Sequence, residues 1–116
     1  MAVLGVGGIF FRAQDPEGLT AWYREHLGVG TPDQWSWTVQ GGPLVFAPFE
    51  AATDYWPQEH QFMLNLRVSD LDGMLAGLRA AGIEVTTNPE WDSPETGRFA
   101  RIHDPEGHPV ELWEGP

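Results

Sequence analysis

Apolar positions along this chain follow two periods, and the switch between them predicts the same order of elements twice. In the first half, Leu19, Trp22, Tyr23, His26 and Leu27 recur at helical spacing ahead of Gly28. This predicts a helix from about Pro16 to Leu27, with Asp15 as N-cap and the proline at the first helical position. In the second half, Leu71, Met74, Leu75 and Leu78 form a similar stripe that stops at Gly82. Ser69, three residues before Asp72, suggests a variant capping box at its start. A strand-like run precedes each helix. Counting back from Asp15 and Asp70, Ile9, Phe11, Leu64, Leu66 and Val68 turn toward the helices, while Phe10, Arg12, Asn65 and Arg67 turn to the other face.

Further strands follow each helix. Gln34 to Gln40 alternates with Trp35 and Trp37 on one face, Gly41-Gly42-Pro43 reads as a turn, and Leu44 to Phe49 as a short apolar strand. After the second helix, Ile83 to Thr86 is a short strand and Asn88 to Thr96 a polar, Pro-containing loop. The chain ends in a hairpin from Gly97 to Glu114, turning at Asp104-Pro105-Glu106-Gly107. If His103 pairs near Pro109, Ile102 faces Val110 and Ala100 faces Leu112 on an apolar side. Arg101 then meets Glu111, and Phe99 meets Trp113, on the other. The same Asp-Pro-Glu-Gly tetrapeptide opens the first helix at Asp15, so the neighbouring period decides what it does.

An internal echo supports this division. At an offset of 55 residues, Arg12/Arg67, Asp15/Asp70, Gly18/Gly73, Ala21/Ala76 and Arg24/Arg79 are identical pairs. One domain is expected, built of a first module over about residues 1–50, a linker over about 51–60 and a second module over about 61–116. The segment from Glu50 to Gln61 carries Tyr55 and Trp56, and reads either as a lid over a binding site or as a plain connection.

Composition narrows the class. The chain has 116 residues, 41% hydrophobic, with six Trp and six Phe, enough for a packed core. Neither a membrane-spanning run nor a secretory leader is evident, and a cytoplasmic location is the expectation. With no Cys, disulfides, thiolate zinc sites and a Cys nucleophile are excluded. The net charge of −11 disfavours nucleic acid as a partner and would steer cations, although solubility alone also accounts for an acidic surface.

The quoted patterns "IFFRAQDPEGLTAWYREHLG" and "GRFARIHDPEGHPVELWE" resemble the vicinal oxygen chelate superfamily. That group includes glyoxalases, extradiol dioxygenases, fosfomycin-modifying enzymes and bleomycin-binding resistance proteins. The resemblance implies an α+β fold of two tandem βαβββ modules forming curved mixed sheets around a central cup, frequently as a homodimer. The inward set would be Phe10, Arg12, Asn65, Arg67, Phe99, Arg101, His103, Glu111 and Trp113. Such aromatic walls with a few polar groups suit a small-molecule ligand. Arg12 and Arg67 read equally well as clamps on nearby carboxylates.

The family's metal site matches this chain poorly. Its first ligand position falls on Gly8 and the second-module equivalent on Met63; only Glu111 matches a ligand of the right kind. No metal or other cofactor is therefore expected, and Glu111 is read as the partner of Arg101. His103 shares the face of Arg101 and is, with Glu111, a candidate proton carrier; a hydrogen-bonded histidine at a strand end is the plainer reading. Three functions remain: a metal-free binder of a small organic molecule, a metal-dependent lyase, isomerase or dioxygenase with a different ligand set, and a protein whose role is dimer interaction.

Overall fold

The computed structural model describes residues 1–30 and 37–116. Helix α1 spans Pro16–Leu27 and α2 spans Leu71–Ala80. Three strands, β1 (Leu64–Arg67), β2 (Arg98–His103) and β3 (Pro109–Glu114), form a sheet in the order β1-β3-β2. The central strand β3 runs parallel to β1 and antiparallel to β2. The result is a small α+β fold with a mixed sheet.

The two helices begin in the same way, which gives the internal echo a physical basis. Asp15 and Asp70 are the N-caps, and the carboxylate of each accepts the backbone N–H three residues on, from Gly18 and Gly73, at 3.0 Å in both cases. A Cβ at Gly18 or Gly73 would lie 2.2 or 2.3 Å from the capping carboxylate. The repeated Asp-x-x-Gly is thus a cap that leaves no room for a methyl group. The expected capping box of Ser69 and Asp72 is replaced by Asp70, one residue along. A second carboxylate reaches each helix start from the hairpin. Glu106 accepts the N–H groups of Gln14 and Asp15 at 2.6 and 3.0 Å, and Glu114 accepts that of Leu71 at 2.8 Å. Each satisfies donors that a helix start leaves free and places negative charge at the positive end of the helix dipole.

The apolar side of the hairpin forms the core. Ala100, Ile102, Val110 and Leu112 pack with Leu71, Leu75 and Leu78 of α2 and with Leu19 and Tyr23 of α1. The register matches the expected pairing at every position, from His103 opposite Pro109 to Phe99 opposite Trp113. The side of the sheet away from this core therefore carries Phe99, Arg101, Glu111 and Trp113.

The first half differs from expectation. Residues 1–13 and 37–50 form no regular strand, and Gln34, Trp35 and Ser36 of the expected strand lie outside the described residues. Several of their apolar side chains stand in solvent, Phe10 at 86% and Phe46 at 85% exposure, whereas Phe11 and Phe49 meet other aromatic rings. A period of two states which face a strand would bury, but a strand forms only where its backbone bonds to a neighbouring edge, and among the described residues these segments pair with none. The short strand expected at Ile83 to Thr86 reaches the sheet at one point, where Thr86 bridges Arg101 of β2.

Candidate functional site

The hairpin register puts Arg101 of β2 directly opposite Glu111 of β3, yet the expected ion pair between them does not form. Glu111 is engaged elsewhere. One carboxylate oxygen accepts the Tyr55 hydroxyl, and the other accepts the side-chain amide of Asn65 on β1 at 2.7 Å. Both come from outside the hairpin; strand alternation had set Asn65 on the same face as Glu111, but it says nothing of Tyr55, which a loop brings in. Glu111 is 6% exposed, and a carboxylate so buried needs such donors.

Arg101 is 7% exposed and stacks on aromatic rings instead. Its guanidinium carbon lies 4.9 Å from the centre of the Tyr55 ring and 5.7 Å from that of Trp91, within cation–π range. Among the described residues, its Nε and Nη2 are buried without any hydrogen-bond partner. Tyr55 and Trp91 meet edge to face at 6.2 Å, Phe49 stacks on Tyr55 at 5.7 Å, and Phe49 also meets Trp56 at 5.1 Å. The Trp56 indole N–H is fixed by the carbonyl of His60. The segment from Glu50 to Gln61 thus lies across the polar side of the hairpin and presents an aromatic cluster to a buried cation and a buried carboxylate. Trp91 was absent from the sequence-based set; its signal was the Asn88-Pro89 start of a single 3-10 turn, Pro89–Trp91, capped by the Asn88 side chain.

The other expected residues are placed differently. Phe99 and Trp113 stack with parallel rings 6.0 Å apart, and the Trp113 indole N–H donates to the Thr96 carbonyl at 2.7 Å. Arg67 is exposed and donates to the Gln40 carbonyl at 2.7 Å, tying the first half of the chain to β1. Phe10, Arg12 and His103 are exposed, and no hydrogen bond or ion pair joins them to the Glu111 group. Of the remaining histidines, His108 bonds Asp104 and His26 lies near Glu25, whereas His60 tilts against the His108 ring. A surface cleft of about 360 Å³ opens beside Arg67, Asp70 and Met74, and its lining includes neither Arg101 nor Glu111.

A divalent ion fits this donor set poorly. Gly8 offers no side chain, Met63 offers only a thioether, and both Glu111 oxygens already accept hydrogen bonds. Among the described residues, no three His, Asp or Glu side chains converge.

Burial, the hydrogen bond to Glu111 and that carboxylate's charge push Tyr55 up to about 12, with Arg101 opposing. The folded chain therefore holds this proton more tightly than the unfolded one does. The corresponding stability is complete below the ordinary phenol value of 10.0 and is lost as pH rises toward 12. The chain has two tyrosines, so phenolate absorbance of a Tyr23→Phe variant reports Tyr55 alone. Its midpoint should lie well above 10.0 in the native chain, and Glu111→Gln should lower it; an ordinary midpoint in the folded protein would contradict the bond to Glu111.

Among the described residues no helix is long and apolar enough to cross a membrane. The family model for the Glyoxalase/Bleomycin resistance protein/Dioxygenase superfamily matches residues 5–112. Among solved structures, the chain is similar to the crystal structure of TnmS3, an antibiotic binding protein from Streptomyces sp. CB03234. The TM-score is 0.64 at 25% identity, covering 100% of this chain and 99% of that one. It is also similar in fold to TioX from Micromonospora sp. ML1, with a TM-score of 0.53 at 20% identity over 90% of each chain. A search of curated proteins returned no match.

Proposed function

The chain belongs to the glyoxalase/bleomycin resistance protein/dioxygenase superfamily, and from that premise we propose that it binds a small organic molecule of antibiotic type, without a metal, on the polar side of its hairpin. The observation that carries this reading is the gathering of Tyr55, Trp91 and Phe49 around a buried, incompletely bonded Arg101 beside Glu111. Aromatic rings supply area at low entropic cost, and a few fixed polar groups supply orientation. The likeness to an antibiotic binding protein over the full chain supports the ligand class. The donor set around Glu111 supports binding over metal-dependent lyase, isomerase or dioxygenase chemistry.

We further read the working form as a homodimer in which two copies complete a cup. Residues 61–116 hold a sheet whose β1 edge carries no strand among the described residues. Residues 1–13 and 37–50 hold strand-like apolar runs with no sheet. Each copy carries both features, so the open edge of one can take up the unpaired runs of the other.

A thermal-shift screen of polycyclic antibiotics tests the binding reading, run with chelator and again with Zn²⁺ or Mn²⁺. A hit should raise the melting temperature equally in both conditions. The gain is about 2.7 kcal/mol at a ligand concentration of 100 times Kd. Trp113→Ala should weaken the hit by about 1–3 kcal/mol if this ring is an anchor. Binding that requires the metal would favour the enzymatic alternative, and binding indifferent to both Trp113→Ala and Arg101→Ala would move the site elsewhere.

A further inference from the structure

The two nitrogens of Arg101 that lack partners are not an arbitrary pair. Nε and Nη2 lie side by side on one edge of the planar guanidinium, and their N–H bonds point the same way. This is the edge that takes the two oxygens of a carboxylate in a fork. Both atoms are buried, and a buried donor without an acceptor is costly enough that an edge with two of them marks a missing partner. Among the described residues no side chain supplies it: Glu111, the acid opposite in register, is held by Tyr55 and Asn65. Tyr55 and Trp91 lie over the guanidinium, so with both nitrogens buried a ligand reaches this edge only past aromatic surfaces that must move aside.

We propose that the Nε–Nη2 edge of Arg101 is a carboxylate subsite, and that the ligand of this protein is a planar aromatic molecule bearing a carboxylate monoanion on its ring. The inference rests on the binding reading above and names the chemistry of that site. A single negative charge matches a single buried cation. A phosphate-like dianion would bring excess charge beside Glu111 in a chain of net charge −11. The ring follows from the surroundings, since whatever presents oxygens to this edge must pass Tyr55, Trp91 and Phe49. Entry requires the segment from Glu50 to Gln61 to lift, because Tyr55 closes over the guanidinium.

The experiment uses 2-naphthoate and its uncharged amide, 2-naphthamide, titrated into the full chain by calorimetry, with Arg101 Nε–H followed by nitrogen-edited NMR. The acid should bind at least about tenfold more tightly than the amide. The Nε–H resonance should move on adding the acid and not on adding the amide. Arg101→Lys keeps the charge but loses the fork and should abolish the preference for the acid. The comparison of acid with amide needs no variant, so it stands even if Arg101→Lys fails to fold. Equal affinity for acid and amide overturns the carboxylate subsite while leaving a small-molecule site in place, provided Trp113→Ala weakens both. Failure of the acid to bind at about 1 mM overturns it too. So does an unmoved Nε–H that exchanges with a trapped water, the result expected if water alone completes this edge.

Discussion

Replacing Asp104 by alanine should destabilise the fold by about 3–5 kcal/mol, because this one carboxylate holds the hairpin turn and the first helix together. It is 4% exposed. One oxygen accepts the Tyr23 hydroxyl of α1 at 2.7 Å and the His108 ring nitrogen at 2.8 Å. The other accepts the backbone N–H groups of Glu106 and His108 at 2.9 and 3.0 Å. Alanine leaves all these donors without an acceptor, the buried Tyr23 hydroxyl among them. Urea denaturation should show the loss as a lower midpoint at unchanged slope, and Tyr23→Phe, which removes one donor cleanly, should cost only about 1–2 kcal/mol. A double-mutant cycle between the two should return a coupling of about 1 kcal/mol or more. An Asp104→Ala variant within about 1 kcal/mol of the native chain would mean that the turn holds without its carboxylate. Burial and the bond to Asp104 push the Tyr23 phenol far above its ordinary range, so the donor proton of this link is not lost at alkaline pH.

Asp104 also marks how far the sequence could be read. Its place in the turn was legible from Asp-Pro-Glu-Gly, but its role as a hub was not, because Tyr23 lies 81 residues away. The hairpin register was legible at every pair, since one apolar side fixes the parity of the whole strand. Both helices were legible from their stripes, and the first cap from Asp15 before its proline, whereas the second cap was read as Ser69 with Asp72 and is Asp70. Glu111 shows the limit from the other side. Its cross-strand neighbour was read correctly, but its bonding partners come from Tyr55 and Asn65, 56 and 46 residues away. Opposite charges directly across a ladder do not pair when nearer donors, brought by other segments, already satisfy the acid. The strand-like runs of the first half expose a different limit: alternation describes a face, whereas a strand exists only where another edge completes its hydrogen bonds.

That missing edge leads to the second large effect. The wild-type chain should sediment as a dimer at micromolar concentration, and Phe46→Glu should shift it to monomer, weakening association by about a hundredfold or more. Leu44, Val45 and Phe46 are consecutive and all largely exposed in the single chain, as is Phe10. Such a run is an uncommon surface for an isolated molecule, and each side chain gains about 1.5–3 kcal/mol on being buried. A second copy is the occupant that the chain itself points to. The offset of 55 residues repeats in the first half the pattern that builds a sheet in the second, and among the described residues β1 leaves that sheet with an unoccupied edge. Because Phe46 makes no core contact within one chain, the charged variant should keep its circular dichroism and denaturation midpoint when compared as monomer. That separates loss of association from loss of folding. A wild-type chain that stays monomeric at micromolar concentration, or a Phe46→Glu chain that associates as well as its parent, would leave these apolar runs without the partner proposed for them. The Trp113 and Arg101 side would then have to bind its ligand on one chain alone, and dilution would not affect ligand affinity; in the dimer, dilution below the dimer's dissociation constant should weaken it.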